Sequence, residues 1–214
     1  MSTTIENEVA RLLLQINAIK LSPQNPFTWA SGLRAPVYCD NRLIASYPAR
    51  RRTVVDGFVQ KAAAFQPFDV VAGIATGGIP YGAWLADRLD LPFIYVRSKA
   101  KEHGRQNLVE GELPAGARVL VIEDLVSTGG SSLAAVQGIR AAGGEVVGVL
   151  AIFTYALEQA TEAFRNANCP IDTLTHYPAL LEAALQANYI QPADVQTLQQ
   201  WRDNPGQWSA KQAD

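Results

Sequence analysis

Three short runs, "FDVVAGI" at 68–74, "RVLVIED" at 118–124 and "EVVGVLAIF" at 145–153, constrain this chain more than any other feature. Each is rich in β-branched residues and apolar at successive positions, so both faces of each strand must be covered, as in the centre of a parallel sheet. Helical patterns at about 79–89 and 131–142 separate them, the second closed by Gly143 and Gly144. "PFIYV" at 92–96 and "IDTLTHY" at 171–177 read as further strands. Strand alternating with helix predicts an α/β fold with a mainly parallel sheet flanked by helices.

The flanks follow from other patterns. Ile5, Val9, Leu12, Leu13, Ile16 and Ile19 recur at helical spacing behind Ser2, Thr3 and Thr4, which predicts a helix over 3–20. Pro48 opens a second over 48–65, with Val54, Val55, Phe58, Val59 and Ala62 as its apolar stripe. Residues 21–47 hold three prolines among aromatic and small polar residues, a pattern of short strands and turns. Two Ala/Leu/Gln-rich stretches near the C-terminus predict a helical flank, and the tail after Pro205 is expected to fray.

Composition narrows the class. With 214 residues, 48% of them hydrophobic and 18% charged, and a net charge of −2, the chain reads as a single globular domain over 1–214. No apolar run reaches the roughly 18–20 residues that span a bilayer, and the N-terminus lacks a basic-then-apolar leader, so a cytoplasmic protein without membrane contact is expected. Cys39 and Cys169 have no CxxC spacing and there are only two histidines, which argues against a disulfide scaffold and a structural zinc site. The near-neutral balance argues against a broad nucleic-acid surface, and Arg50, Arg51 and Arg52 read as the solvated face of a helix.

The stretch "VLVIEDLVSTGGSS", 119–132, carries the chemistry. In an open α/β sheet the ligand lies beyond the carboxyl ends of the strands, which is where Glu123 and Asp124 fall. Ser127, Thr128, Gly129, Gly130 and Ser131 lead into a helix N-terminus, whose unpaired N–H groups and positive dipole end favour a phosphate. Two carboxylates beside an anion site repel phosphate unless they address another part of the ligand. A ribose diol offers two donors to groups that only accept, so a ribose 5-phosphate fits both halves.

That stretch resembles the signature of type I phosphoribosyltransferases, in which two acids contact the ribose hydroxyls of phosphoribosyl pyrophosphate and the next loop wraps its 5-phosphate. It is neither a P-loop nor a dinucleotide turn, since neither string occurs. "FTWASGLRAPVYCDNR", 27–42, resembles the hood of orotate phosphoribosyltransferases, and "YVRSKAKEHGRQNLVEG", 95–111, their mobile catalytic loop. "IFTYALE", 152–158, resembles the segment after the last core strand in one branch of that family, and "GIATGGIP", 73–80, its pyrophosphate loop.

The resemblance implies a magnesium-dependent transfer of the phosphoribosyl group to orotate, giving orotidine 5-monophosphate and pyrophosphate. It implies a hood at about 21–47, a mobile loop at about 97–110, and a homodimer in which that loop reaches the partner's site. Glu123, Asp124, Leu125, Val126, Ser127, Thr128, Gly129, Gly130 and Ser131 would hold the sugar phosphate, with Ser127 also touching orotate. Arg97, Lys101 and His103 match phosphate-contacting positions; Lys101, His103 and Asp124 are the catalytic candidates. Lys99 stands one residue from a position that is lysine elsewhere and Ser98 here. Backbone amides of Thr76, Gly77 and Gly78 would hold the pyrophosphate. No direct protein metal ligand is expected, because the substrates carry the ion.

The loop's own chemistry agrees with this. Arg97, Lys99, Lys101, His103 and Arg105 put five basic or potentially basic groups into nine residues with no apolar anchor at 98–107, suited to closing over a polyanion. The chain departs from the family pattern at Ala30 and Gly77, lysine in some relatives, and at Tyr155, where some have an orotate-contacting arginine. Recognition of the orotate carboxylate is left to backbone amides and Ser127. Phe27, Trp29 and Tyr38 read either as a cover over the base or as hood core. Transfer to another base is disfavoured by the hood sequence. A DNA-binding regulator is disfavoured by the short segment before the hood.

Overall fold

The computed structural model describes residues 4–29, 31–98 and 108–212. Thr4 caps the first helix, α1 (Ile5–Gln15), its hydroxyl accepting from the Asn7 amide. The helix stops well short of the predicted end: Asn17 takes φ +55°, a left-handed conformation that asparagine tolerates, and turns the chain. Ile19 therefore lies in strand β1 (Ile19–Leu21) and not on the helix, though it is as fully buried as helical spacing required. The next segment holds β2 (Phe27–Thr28), β3 (Arg34–Ala35) and β4 (Val37–Cys39), pairing β2 with β3 and β4 with β1, both antiparallel. A 3₁₀ turn over Asn41–Ser46 leads to α2 (Pro48–Ala62).

The alternating core follows as β5 (Val70–Ile74), α3 (Gly78–Leu89), β6 (Phe93–Val96), β7 (Val109–Glu110), β8 (Arg118–Val126), α4 (Gly130–Ala141), β9 (Glu145–Thr154), α5 (Glu158–Asn166) and β10 (Ile171–His176). Among the described residues these strands form a six-stranded sheet in the order β10-β9-β8-β5-β6-β7, parallel except for the edge strand β7. The chain then closes with α6 (Tyr177–Gln186), α7 (Pro192–Asp203) and α8 (Pro205–Ala210).

The period-2 alternation of the strands divides the core. Leu120 and Ile122 of β8, Val71 of β5, and Leu150 and Ile152 of β9 face the layer that includes α1, α2, α3, α6 and α7. Val119 and Val121, Val70 and Ala72, and Val149 and Ala151 face α4 and α5. Every residue of β5 is buried, as a strand covered on both faces requires.

Two further expectations change, and one helix goes beyond them. The tail is helical over Pro205–Ala210: Asn204 caps α8 by accepting from the Gln207 amide, Trp208 is buried, and the Ser209 hydroxyl accepts the Arg34 amide at 2.8 Å. α5 was invisible because only Ala160 and Phe164 are buried on an otherwise polar helix. Arg51 is more than solvated face, since its guanidinium lies 4.7 Å from the centre of the Trp84 ring, a cation–π contact, while Arg50 and Arg52 are exposed.

Candidate active site

Strand order reverses at β5: the next strand, β6, pairs on one side and β8 on the other. Crevices beyond the carboxyl ends of strands at such a point are where open α/β sheets bind ligands. A cleft of about 400 Å³ opens there, lined by Ala75, Thr76 and Gly77 after β5, by Glu123, Asp124 and Leu125 of β8, by Ser131 of α4, and by Cys39, Asp40 and Arg42 from the hood side. The acids, the end of the phosphate loop and the pyrophosphate loop, separated by up to about 55 residues of sequence, are thus brought together.

The two acids are not equivalent. Successive residues of a strand point to opposite faces, so Glu123 turns toward α4 and Asp124 toward α3 and the hood. Glu123 is 5% exposed; its carboxylate accepts the Asp124 amide at 3.1 Å and the Ser132 hydroxyl at 3.2 Å. Burial first, then the Asp124 charge, pushes its carboxyl up to about 9, so it is protonated in the empty site at neutral pH. Asp124 is partly exposed to the cleft, and its backbone carbonyl accepts from Asn41 Nδ2 at 2.6 Å.

A pH effect follows. The native state holds a Glu123 proton that the unfolded chain, titrating near the ordinary 4.5, releases, so stability falls as pH rises from that value toward 9. Glu123→Gln keeps the shape without the titration, its oxygen accepting the Asp124 amide and its NH2 donating to the Ser132 hydroxyl. Thermal melts are expected to show the variant gaining on the parent between pH 5.5 and 8.5; parallel pH profiles would contradict the assignment.

The phosphate loop has the geometry its sequence suggests. Gly129 caps α4 at φ +85°, where a side chain would be strained and would also press on the Phe164 ring. The first amides of α4 have no helical acceptor, leaving them available to an anion. Ser127 and Thr128 line a second cleft, of about 650 Å³, with Trp29, Leu33 and Leu157. The Val126 side chain is buried in the core and its carbonyl accepts the Tyr155 amide. Gly130 is exposed at the first position of α4.

Gly77 packs against Asp124 so closely that a Cβ there would overlap the carboxylate, and Gly78 sits equally tight on the Ile122 carbonyl. The family's alternative lysine at 77 therefore has no room while Asp124 holds this rotamer. Gly77→Ala is expected to swing Asp124 aside and lower kcat/KM about tenfold or more in steady-state assays, since misplacement of a reacting group is costly.

Arg97, at the end of β6, donates to Glu110 of β7 at 3.3 Å, and its amide bonds to Leu108, tying the two ends of the basic loop. Lys99, Lys101, His103 and Arg105 lie outside the described residues, as does Ala30. Trp29 and Tyr155 belong to a core cluster with Trp201: Trp29–Tyr155 centroids are 5.3 Å apart and Tyr155–Trp201 5.4 Å. Tyr155 is 2% exposed, and burial holds its phenol well above the ordinary range. Phe27 and Tyr38 pack on each other at 5.8 Å, Tyr38 exposed.

Cys39, Asn41, Arg42 and Tyr81 were not singled out from sequence as site residues. Arg42 is clamped by both oxygens of Asp40, at 2.6 and 2.9 Å, which lowers that carboxyl below its usual range. The "CDNR" run hints at a polar turn, but nothing in it points to partners 40 and 83 residues away.

Comparison with known proteins decides the family. Residues 56–172 match the family model of the phosphoribosyl transferase domain. The chain is 50% identical over 206 residues to orotate phosphoribosyltransferase of Listeria monocytogenes, covering 96% of this chain and 99% of that one. The chain belongs to the orotate phosphoribosyltransferases.

Solved structures agree. Orotate phosphoribosyltransferase of Aeropyrum pernix superimposes with a TM-score of 0.75 at 28% identity, covering 86% of this chain and 99% of that one. The Mycobacterium tuberculosis enzyme in complex with 5-phospho-α-D-ribosyl 1-diphosphate gives 0.64 at 25% identity, covering 82% and 98%. As an orotate phosphoribosyltransferase the chain is a pentosyltransferase, joining the phosphoribosyl group to orotate. Among the described residues no helix is long and apolar enough to cross a membrane.

Proposed function

We propose that the cleft beyond β5 and β8 binds phosphoribosyl pyrophosphate with its 5-phosphate on the amides of 127–131, its diol on Asp124, and its diphosphate beside Thr76–Gly78. The observation that carries this is the meeting of Asp124, Gly77 and Ser131 around one cleft. The ligand of the Mycobacterium tuberculosis relative supports the substrate class.

The chemistry asks little acid–base work of the protein. Orotate carries its charge on the carboxylate; its N1 bonds to ribose C1 as the C1–oxygen bond to pyrophosphate breaks, the electron pair of that bond leaves with the diphosphate, and the N1 proton passes to a diphosphate oxygen or to water. Positive charge gathers on the sugar, as in glycosyl transfer generally. Asp124 fixes the diol and stabilises that charge. A protonated Glu123 holds Ser132, and with it the first turn of α4, under the phosphate. Arg97, Lys101 and His103 close on the departing diphosphate and exclude water.

Magnesium fits this donor set. A hard cation that keeps several waters would be carried by the diphosphate and ribose oxygens, with no direct protein ligand. When bound, the ion would neutralise charge on the diphosphate.

The loop at 97–110 leaves from the carboxyl end of β6, the same end as the cleft, which supports a role over an active site. By the family resemblance that site is the partner's in a homodimer. The enzyme works in the cytoplasm, a setting that suits its free thiols, Cys39 and Cys169. The direct test is incubation with orotate, phosphoribosyl pyrophosphate and magnesium. Orotate absorbance is expected to fall; persistence of that absorbance, with uracil or a purine consumed instead, would reassign the base.

A further inference from the structure

Strand pairing leaves a gap beside the acid that holds the sugar. β8 pairs with β5 only as far as Ile122, opposite Gly73, and then runs on to Val126 beyond the end of its neighbour. On that side the backbone around Asp124 has lost its strand partner, and a buried carbonyl without a donor is destabilising. The donor comes from outside the sheet: Asn41 Nδ2 reaches the Asp124 carbonyl at 2.6 Å.

Asn41 is itself held on two sides. It is 1% exposed, its side-chain oxygen accepts from the Cys39 thiol at 3.3 Å, and its backbone carbonyl accepts the Tyr81 hydroxyl at 2.8 Å. Tyr81 is fully buried on α3, edge-on to Trp84 at 5.4 Å and tilted against Phe58 at 6.3 Å. Both rings sit in the helical layer over the sheet, so Tyr81 is a rigid post. The thiol stays protonated as a donor, because burial and the neighbouring Asp124 and Asp40 charges raise it well above its ordinary range.

We propose that Asn41, seated by Tyr81 and Cys39, is a positioning residue that fixes the backbone of Asp124 and so aims its carboxylate at the ribose diol. Through it the end of the hood and the diol-binding acid form one hydrogen-bonded unit. The proposal rests on the reading of Asp124 as the diol contact.

The test separates the two. Asn41→Asp keeps the shape and removes the donor, and Tyr81→Phe keeps the ring and removes the hydroxyl. In steady-state kinetics on the full chain with magnesium, Asn41→Asp is expected to raise the KM for phosphoribosyl pyrophosphate about tenfold and Tyr81→Phe about threefold, with the KM for orotate nearly unchanged. The double variant is expected to be no worse than Asn41→Asp alone, since the two act through one contact. Equal losses for both substrates, or strictly additive effects, would mean a merely structural role and overturn the proposal. So would an unchanged KM in both variants alongside a raised KM in Asp124→Asn. If Asp124→Asn also leaves that KM unchanged, the diol reading falls together with the proposal.

Discussion

Replacing Lys101 with alanine is expected to lower kcat by about 10²–10³-fold, the range found when one preorganised donor to a developing anion is removed. The departing diphosphate is the most highly charged group in the reaction, and the run from Arg97 to Arg105 puts four Lys and Arg residues and a histidine into nine positions. Lys101 lies in the middle of it, between the anchored ends that Arg97 and Leu108 join through a backbone hydrogen bond. Since residues 98–107 carry no large apolar side chain, the melting temperature is expected to stay close to that of the parent. Steady-state kinetics beside a thermal melt checks both halves; turnover at the parent's level would remove the loop from the mechanism.

Asp124→Asn is the second large effect. The amide is nearly isosteric, so packing against Gly77 and the Asn41 bond to the backbone carbonyl are retained. What changes is the charge beneath the ribosyl cation and the ability to accept from both hydroxyls of the diol, since one side-chain oxygen becomes a donor. Loss of a hydrogen bond to a charged group is worth about 1.5–3 kcal/mol, or roughly 10- to 150-fold in kcat/KM for phosphoribosyl pyrophosphate. Initial rates at varied phosphoribosyl pyrophosphate measure it. Glu123→Gln, which replaces a group already neutral in the empty site, is expected to cost much less, and that contrast distinguishes the roles of the two adjacent acids.

The parts of the fold legible in the sequence are those with strong local patterns. β5, β8 and β9 announce themselves because strands covered on both faces carry unbroken apolar runs through their centres, and α4 because a glycine pair closes it. α5 was hidden because burial of two small patches, Ala160 and Phe164, is enough to seat a helix at the edge. The ordering of α8 depends on Ser209 meeting Arg34, a contact across 175 residues that no local pattern encodes.

The site divides the same way. Acids and glycine-rich loop are contiguous, so their chemistry was visible at once. Their orientation was not: the alternation that sends Glu123 toward Ser132 and Asp124 toward Gly77 matters only once α3 and α4 are known to lie on opposite faces of the sheet. Asn41 and Tyr81 were invisible for a related reason, being polar groups whose partners lie far along the chain.

The most direct measurement is a crystal structure of the protein with phosphoribosyl pyrophosphate and magnesium. The expected result is the 5-phosphate against the amides of 127–131 at the start of α4, the ribose hydroxyls within hydrogen-bond distance of Asp124, and the diphosphate beside Thr76–Gly78. A ligand seated elsewhere, or a diol turned away from Asp124 with the phosphate off the α4 terminus, would contradict it.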